Sequence, residues 1–375
     1  MNICIVSYMY PNKYSSSDQV FVKMLVDEFA RQGHKCVVVC PFNTLHYRHV
    51  SKGSYSYSVG TNEVRVVCPN YISASNIKFC SFNVSDFLHK HAINKALKKM
   101  KFTPDIIYCH FWKQGLKAYP FARKNKIPLF VASGECEIFV NNKTGDISDF
   151  TDYVKGVICV STKNKEESIE KKLTIPEKCY VVPNSINNNL FKVMDKEKCR
   201  VDLGLPKDKF IIAFVGWFAN RKGSKRVSDA ISRIDKNDVY SLFIGSGIDL
   251  PKCNNVLFTG KVNHDILPKF LNAADAFVLP TLQEGCCNAI IEAMACGLPI
   301  ISSNLPFNWD VLNERNSIMI DPMSIDEIQK AITTLRDDVK LRNEMSISSQ
   351  ESAKELTIGE RAKKIINFIE SQISL

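Results

Sequence analysis

The chain has 375 residues, of which 45% are apolar, and its formal net charge at pH 7 is +10. At roughly 150 residues per domain, this length indicates two domains, and the apolar content is sufficient for each to form its own core. A disordered chain and a mini-protein that depends on disulfides are therefore excluded.

No apolar run reaches the roughly 20 uncharged residues that a membrane-spanning helix requires. Residues 1–7 are apolar but have no basic region before them and no small-residue cleavage site after them, so they resemble a first strand more than a signal peptide. The fourteen cysteines are scattered and lack the paired spacing of a zinc site. We expect a cytoplasmic protein with reduced thiols in its core, the alternative being a metal site or a disulfide.

Short β-type apolar runs alternate with helical patterns in the first half, which is typical of parallel sheets with right-handed crossovers. The first βαβ unit comprises a strand at 3–7, a helix from Val20 to Arg31 that Gly33 ends, and a strand at 36–40. Further strands are predicted at 64–67, 105–109, 127–131, 157–160 and 180–182. The first half is therefore predicted to be a doubly wound domain.

All of the excess positive charge lies in this first half. Residues 1–185 contain 25 lysines and arginines against 15 acidic residues, whereas residues 186–375 contain 24 of each. The densest basic segment is 90–101, where five lysines accompany apolar residues at helical spacing. This helix is either an ordinary solvated surface or a site for anionic lipid. Nucleic acid is disfavoured, because no binding motif or arginine cluster is present.

The pattern restarts after the Asn-rich segment 183–189, which is typical of a turn or linker. Strands are predicted at 210–215, 240–244, 255–258, 276–279, 299–302 and 317–320, with helices at 224–234, 265–272, 288–296 and 324–335. Residues 338–374 are polar and helical in pattern. A second doubly wound domain with terminal helices is therefore expected.

Ligands of such sheets bind at the carboxyl ends of the strands, which makes the strand-to-helix loops candidate sites. The loop from Gly216 to Gly223 carries Arg221 and Lys222, which can neutralise a diphosphate, although such a pair is often only solvated surface. A later loop carries Gly245 and Gly247, which suit a close backbone approach or a tight turn.

A third loop leads into a helix predicted to begin near Cys287 or Asn288 and to end at Gly297. The backbone N–H groups at a helix start favour an anion such as phosphate. Glu284 and Glu292 flank this start, and carboxylates accept hydrogen bonds from the hydroxyls of a ribose or a sugar. The loop therefore suits a phosphate with hydroxyl-bearing groups on either side.

Residues 284–299 read Glu-Gly-x-x-Asn-x-x-x-Glu-Ala-Met-Ala-Cys-Gly-Leu-Pro, which resembles the donor-site signature of retaining glycosyltransferases of family four. Residues 216–223 match the Gly-x5-Lys-Gly region of that family, and residues 183–186 resemble its hinge. Residues 8–14 and 21–23 are similar to bacterial cell-wall and capsule transferases of the teichuronic-acid type. The resemblance covers nearly the whole chain. It implies an α/β GT-B fold: two doubly wound, Rossmann-like domains that face each other across a cleft.

In that fold residues 1–185 would be the acceptor-binding domain, completed by a C-terminal helix at about 357–375 that crosses back, and residues 186–355 the donor-binding domain. The resemblance implies that Arg221 and Lys222 bind the donor diphosphate and stabilise the leaving nucleotide, that Glu284 holds the donor sugar and that Glu292 holds the ribose. His110 matches a first-domain histidine near the reacting sugar, although a histidine at a strand end is otherwise structural. The other donor-binding residues are expected to be Gly216, Gly245, Gly247, Lys261, Val262, Gly285, Cys286, Cys287 and Asn288.

The chain departs from the family in two places. Members often carry a glycine pair in the first loop, where this chain has serines at 15–17, and in the hinge Ser185 and Asn187 replace a glycine and an aspartate. Because the first loop normally meets the donor phosphate and the acceptor, the identity of the acceptor is what the resemblance specifies least.

The resemblance implies retaining transfer of a sugar from a nucleotide-diphospho-sugar, expected to be a UDP-sugar, to an acceptor sugar in bacterial surface polysaccharide biosynthesis. The acceptor is expected to be lipid-linked, with the basic first domain on the inner face of the cell membrane. No Asp-x-Asp motif is available for Mg²⁺, so no metal and no cofactor are expected, and the two cations take that electrostatic role. The alternatives are a catalytically silent nucleotide-sugar-binding subunit, a sugar-nucleotide epimerase, and a dehydrogenase, which would need a complete Gly-x-Gly-x-x-Gly.

Overall fold

The computed structural model describes residues 1–12, 19–44, 54–73, 78–79, 82–140, 147–235 and 238–374. The chain divides into two compact units: Met1–Val182 with Ala362–Leu375, and Pro183–Arg361. The serines at 15–17 lie outside the described residues. The thirteen cysteines within the described residues are free thiols. None of the described helices combines the length and apolarity needed to cross a membrane.

The first unit is built on a mainly parallel sheet of eight strands. The strands of this unit are β1 Asn2–Val6, β2 Lys35–Val39, β3 Phe42–Asn43, β4 Tyr55–Val59, β5 Asn62–Val67, β6 Asn70–Tyr71, β7 Lys78–Phe79, β8 Phe82–Asn83, β9 Ile106–His110, β10 Leu129–Ser133, β11 Val154–Cys159 and β12 Cys179–Val181. The sheet order is β12-β11-β10-β9-β1-β2-β5-β4, and β4 is antiparallel to β5. The strand order therefore reverses between β1 and β9.

Helices cover both faces of this sheet, which explains why its central strands are apolar throughout. They are α1 Val20–Arg31, α2 Val84–Lys99, α3 Trp112–Asn125, α4 Ser148–Tyr153 and α5 Thr162–Glu170, with a 3-10 turn at Pro176–Lys178. Every residue of β9 and of β10 is buried. On α2 the apolar side chains Ala92, Ile93, Ala96 and Leu97 face the core. The four lysines of this helix, and Lys101 just beyond its end, are exposed.

The second unit contains a six-stranded sheet in which every neighbouring pair is parallel. Its strands are β13 Phe210–Phe218, β14 Val239–Gly247, β15 Val256–Gly260, β16 Ala276–Leu279, β17 Ile300–Ser303 and β18 Ser317–Ile320. Its helices are α6 Lys196–Leu203, α7 Ser224–Ser232, α8 Leu267–Ala273, α9 Asn288–Ala295, α10 Ile325–Asp337 and α11 Val339–Lys354. The order β15-β14-β13-β16-β17-β18 reverses between β13 and β16.

The last helix, α12 Ile358–Ile373, begins in the second unit, and its residues from Ala362 onward belong to the first. Its apolar stripe is buried: Ala362, Ile365 and Ile369 have no exposed surface. Within the first unit, the ring of Phe368 stacks on that of Tyr180 with the centroids 5.2 Å apart. The first unit therefore combines chain segments from both ends of the sequence.

The predicted strands and helices are confirmed in type, and their ends agree to within three residues. The elements that were not predicted include the helix α6, the two-residue strands β3, β6, β7 and β8, and the strand β4. The sequence of β4, Tyr-Ser-Tyr-Ser-Val, places it at the edge of the sheet with most side chains at least partly exposed, so it lacks the apolar run on which strand prediction depends.

Candidate functional site

The candidate site of the second unit lies at the reversal point of its sheet, between β13 and β16. In open parallel sheets this point leaves a crevice at the carboxyl ends of the two strands. The loop after β13 carries Arg221 and Lys222, and the loop after β16 carries Glu284. A backbone hydrogen bond joins these loops: the N–H of Leu282 donates to the carbonyl of Arg221 at 2.8 Å. The hydroxyl of Thr281 lies 3.3 Å from the same carbonyl oxygen.

Three donors converge on one oxygen of Glu284. Its Oε1 accepts from Lys222 Nζ at 2.6 Å, from Arg221 Nη1 at 2.8 Å and from Thr281 Oγ1 at 2.8 Å. The carboxylate is 7% exposed, and a charge at this depth is tolerated only when it is paired and hydrogen-bonded. The fold therefore places both predicted cations against the predicted sugar-binding carboxylate.

Lys222 keeps its charge despite its burial. Burial alone would lower the pKa of this ammonium, but the thiolate form of the neighbouring Cys287 and the Glu284 carboxylate raise the pKa above its ordinary value. The Lys222 Nζ lies 3.9 Å from Cys287 Sγ, and burial raises the pKa of that thiol. The site therefore contains a fixed positive charge beside a neutral thiol near pH 7.

The loop 285–288 leads directly into α9, as predicted. Cys287 is the N-cap residue and supplies no side-chain cap to the first turn of the helix. Asn184, in the segment predicted to be the hinge, donates from Nδ2 to the carbonyl of Cys286 at 3.0 Å and so fixes the backbone of this loop. The start of α9 therefore lies a few residues after Glu284 in the chain, and the N–H groups at a helix start favour an anion.

Glu292, one turn into α9, has a partner that sequence reasoning missed. Its Oε1 lies 2.9 Å from His264 Nε2, and this hydrogen bond raises the pKa of the imidazole. His264 belongs to the loop after β15 that also holds Lys261, which is exposed, and Val262, which is half-buried. The only sequence feature that could have identified His264 is its position in a loop after a strand, because no motif includes it.

Close contact between two strands explains why positions 245 and 247 are glycines. Both have positive φ, 151° and 155°, and a Cβ on either would collide with the backbone of β13, at the carbonyl oxygens of Gly216 and Phe218. Glycine is therefore required here by the β13–β14 packing itself. Contact of these glycines with a donor stays a prediction, as it does for Gly216 and Gly285.

His110 is the last residue of β9 in the first unit and is 5% exposed. Its ring stacks on that of Phe111 with centroids 4.6 Å apart and is tilted against the ring of Phe21 at 5.3 Å. This enclosure among aromatic rings agrees with the structural alternative, and the catalytic role of His110 stays a prediction.

The first unit also contains a pocket of about 370 Å³ that sequence reasoning did not identify. It lies where β1, β9 and β10 end, and its wall includes Tyr8, His89, Gln114, Lys117 and Glu135. The carboxyl-end rule, applied to the reversal between β1 and β9, indicates this place. Within the described ranges, no group of three or more His, Cys, Asp and Glu side chains is placed to hold a metal ion.

Two family models together match most of the chain. The model described as Glycosyltransferase Family 4 matches residues 19–190, and the model described as Glycosyl transferases group 1 matches residues 195–352.

Two curated relatives support the same assignment. TuaC of Bacillus subtilis, named as a glycosyltransferase of teichuronic acid biosynthesis, is 27% identical over 355 residues, covering 89% of this chain and 88% of its own. An Escherichia coli enzyme, named UDP-Gal:alpha-D-GlcNAc-diphosphoundecaprenol alpha-1,3-galactosyltransferase, is 29% identical over 292 residues, covering 70% and 73%. This chain is therefore related to transferases of bacterial surface polysaccharides.

Solved structures show the fold. Sucrose-phosphate synthase from Thermosynechococcus elongatus matches with a TM-score of 0.79 at 17% identity, over 100% of both chains. Anabaena HepE, solved with UDP and glucose, matches with a TM-score of 0.73 at 16% identity, over 99% of this chain and 100% of that one. Both have the GT-B fold predicted here.

Proposed function

The chain belongs to the family 4, group 1 glycosyltransferases, and we propose that it transfers a sugar from a UDP-sugar to a lipid-linked saccharide, with retention of anomeric configuration and without a metal ion. In this proposal the second unit binds the donor, and the first unit, completed by α12, binds the acceptor. The product is a bacterial surface polysaccharide or its precursor.

One observation carries the proposal: Arg221 and Lys222 converge on Glu284 at the point where the strand order of the second sheet reverses. A departing nucleoside diphosphate gains negative charge as the glycosidic bond breaks. Two cations held in a partly dehydrated crevice stabilise that charge. Mg²⁺ has the same electrostatic role in metal-dependent transferases.

The carboxylates would position the donor. The three bonds that Glu284 accepts from described residues all fall on Oε1, so we assign Oε2 to a hydroxyl of the donor sugar. Glu292 would accept from the ribose hydroxyls, with His264 holding its carboxylate in place. The start of α9 would bind the diphosphate through backbone N–H groups of residues 286–289.

The choice of UDP and of a lipid-linked acceptor depends on the relatives. The E. coli enzyme is named for UDP-Gal and for an acceptor linked to diphosphoundecaprenol, and HepE was solved with UDP. The exposed lysines of residues 90–101 would hold the first unit at the anionic inner face of the membrane, where such an acceptor is found.

The test combines donor binding with product analysis. Calorimetric titration with UDP, GDP and ADP should show the tightest binding for UDP, and transfer from a UDP-sugar to a GlcNAc-diphosphate lipid should continue in EDTA. The coupling constant of the anomeric proton in the product should match that of the donor. An inverted product, or activity that EDTA abolishes, contradicts the corresponding part of the proposal.

A further inference from the structure

The pocket of the first unit has an unusual wall. His89 and Gln114 are each only 3% exposed, yet His89 Nε2 and Gln114 Oε1 are buried without a hydrogen-bond partner among the described residues. Buried polar atoms are nearly always hydrogen-bonded, because leaving them unpaired costs free energy. Two such atoms in the wall of one 370 Å³ pocket indicate that a ligand supplies their partners.

The hydrogen bonding of His89 determines what its Nε2 offers. Lys117 Nζ lies 2.9 Å from His89 Nδ1, and an ammonium can only donate, so Nδ1 accepts. Burial and the Lys117 charge lower the pKa of His89 to about 3, so the ring is neutral and carries its proton on Nε2. The wall therefore offers one N–H donor, from His89, and one carbonyl acceptor, from Gln114.

Hydroxyl groups match these two atoms, because a hydroxyl can accept from an N–H and can donate to a carbonyl oxygen. A carboxylate or a phosphate dianion only accepts, so it would leave Gln114 Oε1 unpaired. Glu135 also lies in the wall, held by the N–H groups of Trp112 at 2.9 Å and of Gly134 at 3.0 Å. Burial raises the pKa of this carboxyl to about 7, so the group is ionised above that pH, and its carboxylate form then repels an anion.

The other charges of the wall do not reverse this preference. The Lys117 ammonium is paired with Asp86 at 3.0 Å, and the remaining cation of the wall, Lys113, is exposed, so solvent screens its charge. Two aromatic side chains of the wall, Tyr8 at 49% and Phe139 at 70%, keep much of their surface exposed. Aromatic rings of this kind provide an apolar surface for the C–H face of a sugar ring.

We propose that this pocket binds a neutral sugar ring through its hydroxyls, and that it selects against uronic acids and sugar phosphates. The inference builds on the proposed function, in which this ring is the terminal sugar of the acceptor. His89 and Gln114 are then binding residues that decide acceptor specificity.

The experiment compares two probes that differ in one group, methyl β-D-glucoside and methyl β-D-glucuronide. Each is titrated by NMR into the full-length protein at about pH 8.5, where Glu135 is ionised. The glucoside should bind at least tenfold more tightly than the glucuronide. Gln114→Leu should weaken glucoside binding at least tenfold, and His89→Phe, which keeps a flat ring but removes Nε2–H, should do the same. Lys124→Gln, on the same helix as Gln114 but exposed and outside the wall, is the matched control and should bind like the wild type.

Two further readouts separate the outcomes. UDP binding and the melting temperature are measured on each variant, and they show whether a loss of glucoside binding comes from the pocket or from a damaged fold. If a variant is damaged, the ratio of glucoside to glucuronide affinity of the wild-type protein still tests the inference. Equal or tighter binding of the glucuronide overturns the inference, and so does unchanged glucoside binding in a folded Gln114→Leu. Wild-type protein that binds the glucoside but no nucleotide would overturn the proposed transfer while supporting the sugar pocket.

Discussion

The candidate sites of the two units differ in how they satisfy their polar groups. In the second unit each carboxylate already has a charged or ionisable partner: Glu284 with Arg221 and Lys222, and Glu292 with His264. In the pocket of the first unit two neutral atoms, His89 Nε2 and Gln114 Oε1, have no partner among the described residues. Burying an unpaired charge costs much more free energy than burying a neutral polar atom that has no hydrogen-bond partner.

The two units also differ in which parts of the chain form them. The second unit is one continuous segment, Pro183–Arg361, whereas the first needs residues from both chain ends. Its surface also carries the excess positive charge of the chain. The donor side therefore depends on charged pairs within one continuous segment, whereas the first unit depends on contacts between the two ends of the chain.

The largest effect is expected from removing α12. Deletion of residues 355–375 should expose the apolar surface that Ile365 and Ile369 cover, so the protein should aggregate, as measured by size-exclusion chromatography. The point variant Ile365→Asp should act in the same direction, because it buries an unpaired charge, while Lys363→Asp on the exposed face should be tolerated. A monomeric, fully active truncation would contradict the dependence of the first unit on this helix.

The next effect concerns the basic surface of the first unit. Replacing Lys90, Lys95, Lys98, Lys99 and Lys101 by Gln should weaken binding to anionic vesicles by roughly two to three orders of magnitude, at up to about 1 kcal/mol per lysine. Binding by the wild type should also fall as salt rises, because the Debye length shrinks from about 10 Å at 0.1 M to about 3 Å at 1 M.

The matched control for that variant removes the same charge from the second unit. Replacing five exposed lysines of this unit by Gln should leave vesicle binding nearly intact. The five are Lys192, Lys198, Lys207, Lys225 and Lys252. UDP binding should survive in both variants. An equal loss of vesicle binding in the two variants would mean that the net charge of the protein, and not the basic surface of residues 90–101, determines its binding to the membrane.

A smaller effect, on turnover, is expected at the donor site. Lys222→Ala should lower kcat by about 10²-fold, because it removes an interaction that strengthens as the diphosphate departs. Lys225→Ala, exposed on α7, is the control and should keep normal turnover. If Lys222→Ala turns over near the wild-type rate, the leaving-group assignment is wrong; a higher KM with an unchanged kcat would point to ground-state binding instead.

The smallest effect is a pH dependence at His264. The Glu292 carboxylate raises the pKa of His264 above its unfolded value, so the pair stabilises the fold fully below that unfolded value, and the gain is lost as pH rises through the folded pKa. Because the ring is partly exposed, we expect only about 0.5 kcal/mol. Urea unfolding should therefore show His264→Gln to be destabilised at pH 5.5 and nearly neutral at pH 9. A larger loss at pH 9 would contradict the pairing.

Local patterns in the sequence determined the elements and the donor loops. The helix α1 and the strands β16 and β18 were predicted with the bounds that the structure shows, because apolar spacing and glycine or proline ends are written in a few adjacent residues. Arg221, Lys222 and Glu284 were recognised for the same reason: each lies in a short loop directly after an apolar strand.

Only the tertiary structure decided which polar groups meet. His264 reaches Glu292 from 28 positions away, and the wall of the first pocket draws on residues from Tyr8 to Val140, so no local pattern marks them. Gly245 and Gly247 look like ligand-binding glycines in the sequence, yet the backbone of β13 already requires them. Periodicity and turn chemistry are local properties, whereas pairing, burial and a missing hydrogen-bond partner arise only when distant segments pack together.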